Sequence, residues 1–453
     1  MLVPKNIIVV GGNAAGPAAA AKAKRVAPGS NVLLFEAGDF ISTGTCELPY
    51  VLSGVIKNYK DIIFFNPDSF EKEKGVKVLT NHFVEKIDRS NKKITVRNLV
   101  SNQTFDQFYD RLILTTGSNA KKLPQIKGNP SNLFTLKSVK DLLLVRDYLD
   151  KNSVRKILII GAGYIGLEAC EAFKLLGYDV TLIDKESLPM PGIDDEIRRL
   201  IYELTNKNKI EFSGGVREIK FGYKDDKITT VGYDGYTKEF DLVMLALGFE
   251  PNNSLAVSSK LAVGKFGGLK VDQKLKTSDP NIYAAGDNIE VVNKITGQYD
   301  YIPIATYAQQ MGHIAGENAA GGNSLAQPVV KNIAVKIFDK YLVTVGLSSA
   351  EATQNKINFI SANSIAANLV KVMPGSDNVF GKLLVEKSSH RIIGGFFLGG
   401  KEVSGYGDII ATFISQKIKV GELEKLNFNY SPPISPFINI LSLLGRKLQK
   451  ELS

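Results

Sequence analysis

Cys46 is the residue whose type and setting most invite chemistry. It lies in Ser42-Thr43-Gly44-Thr45-Cys46-Glu47-Leu48-Pro49-Tyr50, a polar turn that contains a glycine. A lone cysteine is commonly a core residue, and burial alone carries no function. A helix opening near Leu48 and running to Ile56 would instead set Cys46 at a helix N-terminus. Free backbone N–H groups and the helix dipole lower a thiol pKa there, which makes a thiolate nucleophile. The second cysteine, Cys170, is too distant for a disulfide scaffold and, between Ala169 and Glu171 on the inner part of a helix, reads as core packing. Three histidines, His82, His313 and His390, show no metal-ligand spacing, so no metal is expected.

Two other groups are spaced to hold dinucleotides. The apolar run Lys5 to Val10 leads into Gly11-Gly12-Asn13-Ala14-Ala15-Gly16 and an alanine-rich helix to about Val26. Strand, tight turn and helix N-terminus together present free N–H groups to a pyrophosphate. Gly11 permits the turn, Gly16 lets helix and strand approach, and Asn13 stands where glycine is usual. The next strand, Asn31 to Phe35, ends in Glu36, placed to hold ribose hydroxyls. The design returns at Lys156 to Ile160, with Gly161-Ala162-Gly163-Tyr164-Ile165-Gly166, a helix through Leu176, and a strand Val180 to Ile183 ending in Asp184. Asp184 would accept from a ribose 2′-hydroxyl and repel a 2′-phosphate, so NADH is the expected donor, with NADPH left open. Two units of one design imply two dinucleotides and electron transfer between them.

The remaining elements position these groups. Arg111 to Thr116 is a strand entering a turn at Gly117 and rejoining the first sheet; a linker from Asn119 to Pro130 follows. Phe240 to Leu247, with Gly248-Phe249-Glu250-Pro251-Asn252, closes the second unit. Thr277 to Asp287 is a further strand that ends in Gly286 and Asp287 and would put a carboxylate near a ribityl chain. A helix from Ile304 to Ala320 follows, and beyond Val329 strand-like runs give way to helices near Tyr406 to Ile418 and Phe437 to Leu448. The expected class is α/β, two Rossmann-like dinucleotide-binding domains plus an α+β C-terminal domain.

Composition narrows the partners. The chain has 453 residues, 44% hydrophobic and 23% charged, as globular proteins have. No run approaches the roughly 20 apolar residues of a membrane span, and the N-terminus runs directly into a strand, so a cytoplasmic protein without a signal peptide is expected. A net charge of +10 suits a polyanionic ligand such as coenzyme A or a dinucleotide, or simply a lysine-rich surface. No basic stripe interleaved with aromatics is present, so nucleic acid is excluded.

Taken together, Gly11 to Gly16 with Glu36, the loop cysteine, Gly161 to Gly166 with Glu168 and Asp184, the Thr277 to Asp287 segment and the C-terminal region resemble the pyridine nucleotide-disulfide oxidoreductases over essentially the whole chain. The resemblance implies FAD in a domain of residues 1–118 and 248–325, NAD in 119–247, and a dimerisation domain in 326–453. It implies cofactor contacts from Ser42, Thr116, Gly117, Gly248, Gly286, Asp287 and Ala305. It also implies that Tyr164 lies over the flavin and swings aside for the nicotinamide, and that Glu168 polarises that region. A single loop cysteine is similar to the branch containing coenzyme A-disulfide reductases, NADH oxidases and NADH peroxidases, without an intrachain disulfide relay. Ala14 stands where the oxidases and peroxidases carry histidine. Cys46-Glu47-Leu48-Pro49-Tyr50 is similar to the Cys-x-x-Pro-Tyr of the coenzyme A-disulfide reductases, and Tyr430-Ser431-Pro432-Pro433 to their Tyr-x-Pro-Pro, whose tyrosine reaches the partner subunit's cysteine site.

By the same resemblance Lys22, Arg25 and Ser42 fall where coenzyme A is bound; the ordinary alternative for the two cations is exposed helix charge. Thr43, Glu47 and Val372-Met373 depart from the pattern. The implied substrate is coenzyme A disulfide, in a homodimer with no appended sulfur-transfer domain. The alternatives are an oxidase or peroxidase cycling a Cys46 sulfenate, a polysulfide or sulfur reductase, and a flavin electron-transfer protein in which Cys46 is inert.

Overall fold

Ile7, Ile8 and Val9 are fully buried, as a strand covered on both faces requires. In the computed structural model, which describes residues 4–453, they lie in Asn6–Val10 at the centre of a five-stranded sheet. Its order is Ile282–Ala284, Arg111–Leu114, Asn6–Val10, Asn31–Phe35, Lys77–Leu79, every pairing parallel. The second sheet repeats that plan with Leu133–Phe134, Leu242–Leu245, Lys156–Ile160, Asp179–Asp184 and Glu211–Gly214. Helices Ala15–Val26 and Tyr164–Leu175 follow the two glycine turns.

The turns match in detail. Gly11 and Gly161 both have φ +108°, a region that L side chains rarely enter. A Cβ on Gly16 would lie 1.8 Å from the Gly11 carbonyl oxygen, and one on Gly166 would lie 1.9 Å from that of Gly161. Helix Ala15–Val26 is covered on its outer side by Ala305–Ala319, where Gly312 and Gly316 touch the Ala15 and Ala19 carbonyls.

Ile282–Ala284 pairs with Arg111–Leu114, which carries Gly286 and Asp287 back to the first glycine turn. The chain leaves the first sheet through Ser118–Ala120 and returns through Phe249–Pro251, and these two strands pair antiparallel. Residues 359–399 and 332–346 form a five-stranded antiparallel sheet, backed by Val403–Ser415 and Ile440–Leu452. Both helices differ from expectation by about one turn. The second starts at Ile440 because the Asn439 side chain accepts from the Leu441 N–H, a capping bond that sets the boundary. Strand Phe359–Ala367 was not anticipated; Ser361, Asn363 and Ser364 break its apolar pattern. Among the described residues, no helix is long and apolar enough to cross a membrane.

A buried ion cluster joins the second unit to the C-terminal sheet. Lys382 Nζ lies 2.8 Å from both Asp194 Oδ2 and Glu196 Oε1, with the Lys382 and Asp194 side chains 6% and 3% exposed. Ser349 completes the Asp194 shell by donating its N–H at 2.8 Å and its hydroxyl at 2.6 Å. Removing Lys382 leaves the Asp194 carboxylate charged and buried, while Glu196 is partly exposed, so Lys382→Met should destabilise the protein by about 3 kcal/mol. A fall in the urea midpoint reads this, and adding Asp194→Asn should recover part of the loss.

Candidate active site

Both glycine turns open on one cavity of about 1400 Å³, which runs between the two units and past Cys46. A pocket for a single small ligand is typically about 300–1,000 Å³, so this one has room for two extended ligands that meet. At the first turn Glu36 accepts from the Gly12 N–H at 2.6 Å and the Gly38 N–H at 2.7 Å. Burial raises its carboxyl pKa, and those backbone bonds pull it back down. At the second, Asp184 accepts from Ala162 N at 2.6 Å and Glu186 N at 2.8 Å. Each acid is thus fixed against its own glycine turn, on the cavity wall.

The cavity's far end is built from three crossings. Thr116 Oγ1 donates to the Asn252 carbonyl at 2.7 Å and ties the outgoing strand to the returning one. Ser118 Oγ donates to Asp287 Oδ2 at 3.0 Å and accepts from Lys137 Nζ at 2.9 Å. The ammonium also lies 4.0 Å from the Phe249 ring centroid. Burial lowers the pKa of Lys137, opposed by Asp287, Asp141 and Cys46. Nearby, the Tyr301 hydroxyl is buried without a hydrogen-bond partner, although Tyr301 lines the cavity. A group of that kind calls for a polar ligand atom. The glycine cradles, the two strand-end acids and this hydroxyl fit an FAD in the first unit and a nicotinamide dinucleotide in the second.

Cys46 occupies a one-turn 3-10 segment, Thr45–Glu47, followed by a helix of only five residues, Leu48–Leu52. Leu48, Val51 and Leu52 are buried in the same core as helix Tyr164–Leu175, which fixes the turn against the second unit. The sulfur is open to the cavity. The expected lowering of the thiol pKa is not found. Burial pushes it up, Glu47, Glu168 and Asp287 add to the rise, and Lys137 opposes them. The reason is physical: burial, the largest cause, disfavours the thiolate, the negative charges of Glu47, Glu168 and Asp287 add to it, and a five-residue helix aligns few peptide dipoles to oppose them. Glu168 is itself pushed up to about 7, by burial first and then by Glu171.

Asn13 explains its own presence in the first turn. Its Oδ1 accepts from the Thr43 N–H at 3.1 Å and the Thr43 hydroxyl at 3.3 Å, so it ties the strand before Cys46 to the dinucleotide turn. Ser42 is held to the first turn: its N–H donates to the Gly12 carbonyl at 2.8 Å, its φ is +51°, and it lies behind the cavity wall. Gly16 and Gly166 also stay off the wall, as close-packing residues. Ala14, Ala15, Gly117, Gly163, Ile165, Gly248, Gly286 and Ala305 line it. Lys22 and Arg25 lie outside it, and Lys22 is paired with Glu317 at 2.8 Å. Tyr430 is also outside, 49% exposed and packed edge-on against Phe437. Sequence reasoning missed Lys137, Ser118 and Tyr301. A lysine directly before the Ser138 to Asp141 capping box, where the chain enters the second unit, was the available signal for the first.

Residues 5–312 match the family model described as pyridine nucleotide-disulphide oxidoreductase. An "NADH oxidase" of Methanocaldococcus jannaschii is 29% identical, over 98% of this chain and 99% of that protein. A "Coenzyme A disulfide reductase" of Staphylococcus haemolyticus is 28% identical, over 98% and 99%. The crystal structure of reduced Bacillus anthracis CoADR-RHD superposes with a TM-score of 0.94 at 29% identity, covering 100% of this chain and 81% of that one.

The charges around Cys46 make a measurable prediction. Glu47→Gln should lower the thiol pKa, and Glu168→Gln should lower it above pH 7, where Glu168 is ionised in the parent protein. The pH profile of iodoacetamide alkylation of the reduced protein reads both, and each profile should move to lower pH.

Proposed function

Because this chain belongs to the pyridine nucleotide-disulphide oxidoreductase family, whose members use FAD and NAD(P)H, we propose that it carries electrons from NADH through FAD to Cys46 and on to coenzyme A disulfide. One observation carries the reading. Cys46 opens on the cavity that both dinucleotide turns share, while Cys170 is fully buried inside a helix. Cys170 is thus out of reach, which supports a partner sulfur brought in by the substrate. On this reading residues 1–118 and 248–325 hold FAD, 119–247 hold NADH, and 326–453 serve dimerisation.

FAD, when bound, supplies a two-electron relay between nicotinamide and sulfur. The chain's own groups do the rest. Glu36 and Asp184 orient the two riboses, and Tyr164 covers the meeting point of the ligands. The Cys46 thiolate attacks a sulfur of coenzyme A disulfide, forming a mixed disulfide and expelling one coenzyme A thiolate, which takes a proton. Two electrons then break the mixed disulfide, a second proton completes the second thiol, and the Cys46 thiolate is restored. Tyr430 of a second copy donates a hydrogen bond to the leaving sulfur. Its exposed neighbours Ile434, Phe437 and Ile438 support a contact between copies. The Cys-x-x-Pro-Tyr and Tyr-x-Pro-Pro motifs and Ala14 in place of histidine favour coenzyme A disulfide over an oxidase cycle.

Intact-protein mass spectra of denatured, unreduced protein test the substrate. A loss of coenzyme A on adding dithiothreitol, mapped to Cys46, is expected; an unmodified or oxygenated Cys46 overturns it. Cys46→Ser should cut disulfide reduction by at least about 1,000-fold while NADH still bleaches the flavin. Tyr430→Phe should slow turnover about 10-fold or more.

A further inference from the structure

Tyr164 is held from outside its own unit. Its hydroxyl lies 3.1 Å from Thr344 Oγ1, on a strand of the C-terminal sheet 180 residues away. Thr344 is 2% exposed, and Tyr164 is its hydroxyl's hydrogen-bond partner. The register explains the aim. Thr344 pairs with Ile333 on one side and Phe396 on the other, and directly opposed residues of antiparallel strands share a face. Ile333 lines the cavity, and Phe396 is buried in the core that packs Tyr164.

The helix that carries Tyr164 is anchored separately. Two turns on, Glu171 accepts from the Phe338 N–H at 2.7 Å and pairs with Lys336, both in the C-terminal region. The helix is therefore fixed to the sheet, and what remains free to move at its first turn is the Tyr164 ring. Swinging that ring breaks a single neutral hydrogen bond and strands a buried hydroxyl, which holds the ring shut.

We propose that Thr344 is a positioning residue, a latch on the C-terminal sheet that sets how often Tyr164 uncovers the meeting point of nicotinamide and flavin. The inference rests on the reading of Tyr164 as the cover over that point, and it makes nicotinamide access answerable to the C-terminal domain.

The test uses FAD-loaded protein without any disulfide, so it is independent of what Cys46 reduces. Thr344→Val, Tyr164→Phe, their combination and Thr344→Ser are compared by anaerobic stopped-flow reduction with NADH and by flavin fluorescence. Thr344→Val should raise the second-order rate of flavin reduction by about three- to tenfold, the population change one neutral hydrogen bond carries. It should also brighten the flavin, as a stacked ring leaves it. Tyr164→Phe should do the same, the double variant should add nothing further, and Thr344→Ser should stay within about twofold of the parent. Rates and fluorescence unchanged in Thr344→Val, or effects that add in the double variant, overturn the latch. Should Thr344→Val fold poorly, Tyr164→Phe with Thr344→Ser decides, since a parental rate in Tyr164→Phe is equally fatal.

Discussion

Everything here depends on how closely two backbones can approach without a Cβ between them. At each glycine turn the helix is pressed against the carbonyl of the glycine that follows the strand, and the two turns do so at the same φ and almost the same distance. This contact points the helix N-terminus across the sheet edge and puts a strand-end acid beside the turn. Gly312 and Gly316 repeat the device on the outer face, so the helix of the first unit is clamped from both sides with no larger side chain to hold it off. The cavity is the space these contacts leave between the two units.

Within that space the chain's own charges are mostly negative near the thiol. Glu47, Glu168 and Asp287 all oppose the thiolate, and Lys137 is the cation that answers them. Lys137 is held by Ser118 and stacked on Phe249, so its ammonium cannot drift to the surface. The site therefore resists ionising its sulfur idly, and Lys137 joins the outgoing strand, the returning strand and the sulfur in a single electrostatic unit. Tyr164 and Leu48, two residues beyond Cys46, share a hydrophobic core with the face of the C-terminal sheet that carries Phe396, so the Cys46 turn sits where all three regions meet.

How much of this was legible follows the range of each interaction. The strands Asn31 to Phe35 and Lys156 to Ile160, the turns after their partners and the acids Glu36 and Asp184 were readable because each signal is local. Asp287 was read the same way, from a strand that ends in Gly286 and Asp287, and the family resemblance added an expected role for Tyr164. Lys137, Thr344 and Lys382 were not readable, since each acts on a residue more than a hundred positions away or across a strand crossing. The pKa of Cys46 was misjudged because a helix start can be seen in sequence, as can the neighbouring Glu47, whereas the burial of the thiol and the approach of Glu168 and Asp287 from distant elements cannot. Asn13 looked like a flaw in a glycine motif; with Thr43 beside it, it is a tether.

The pairing of Ser118–Ala120 with Phe249–Pro251 has a meaning beyond support of the cavity floor. Everything from residue 121 to residue 248 departs and returns through two strands hydrogen-bonded to each other. Seen from the first unit, the second is a loop insertion whose two ends are already stitched together. The first sheet therefore closes on itself with its own strand order, whatever the inserted segment contains. The repeat is thus nested rather than tandem: one parallel sheet with its glycine turn is carried inside the chain of another of the same plan.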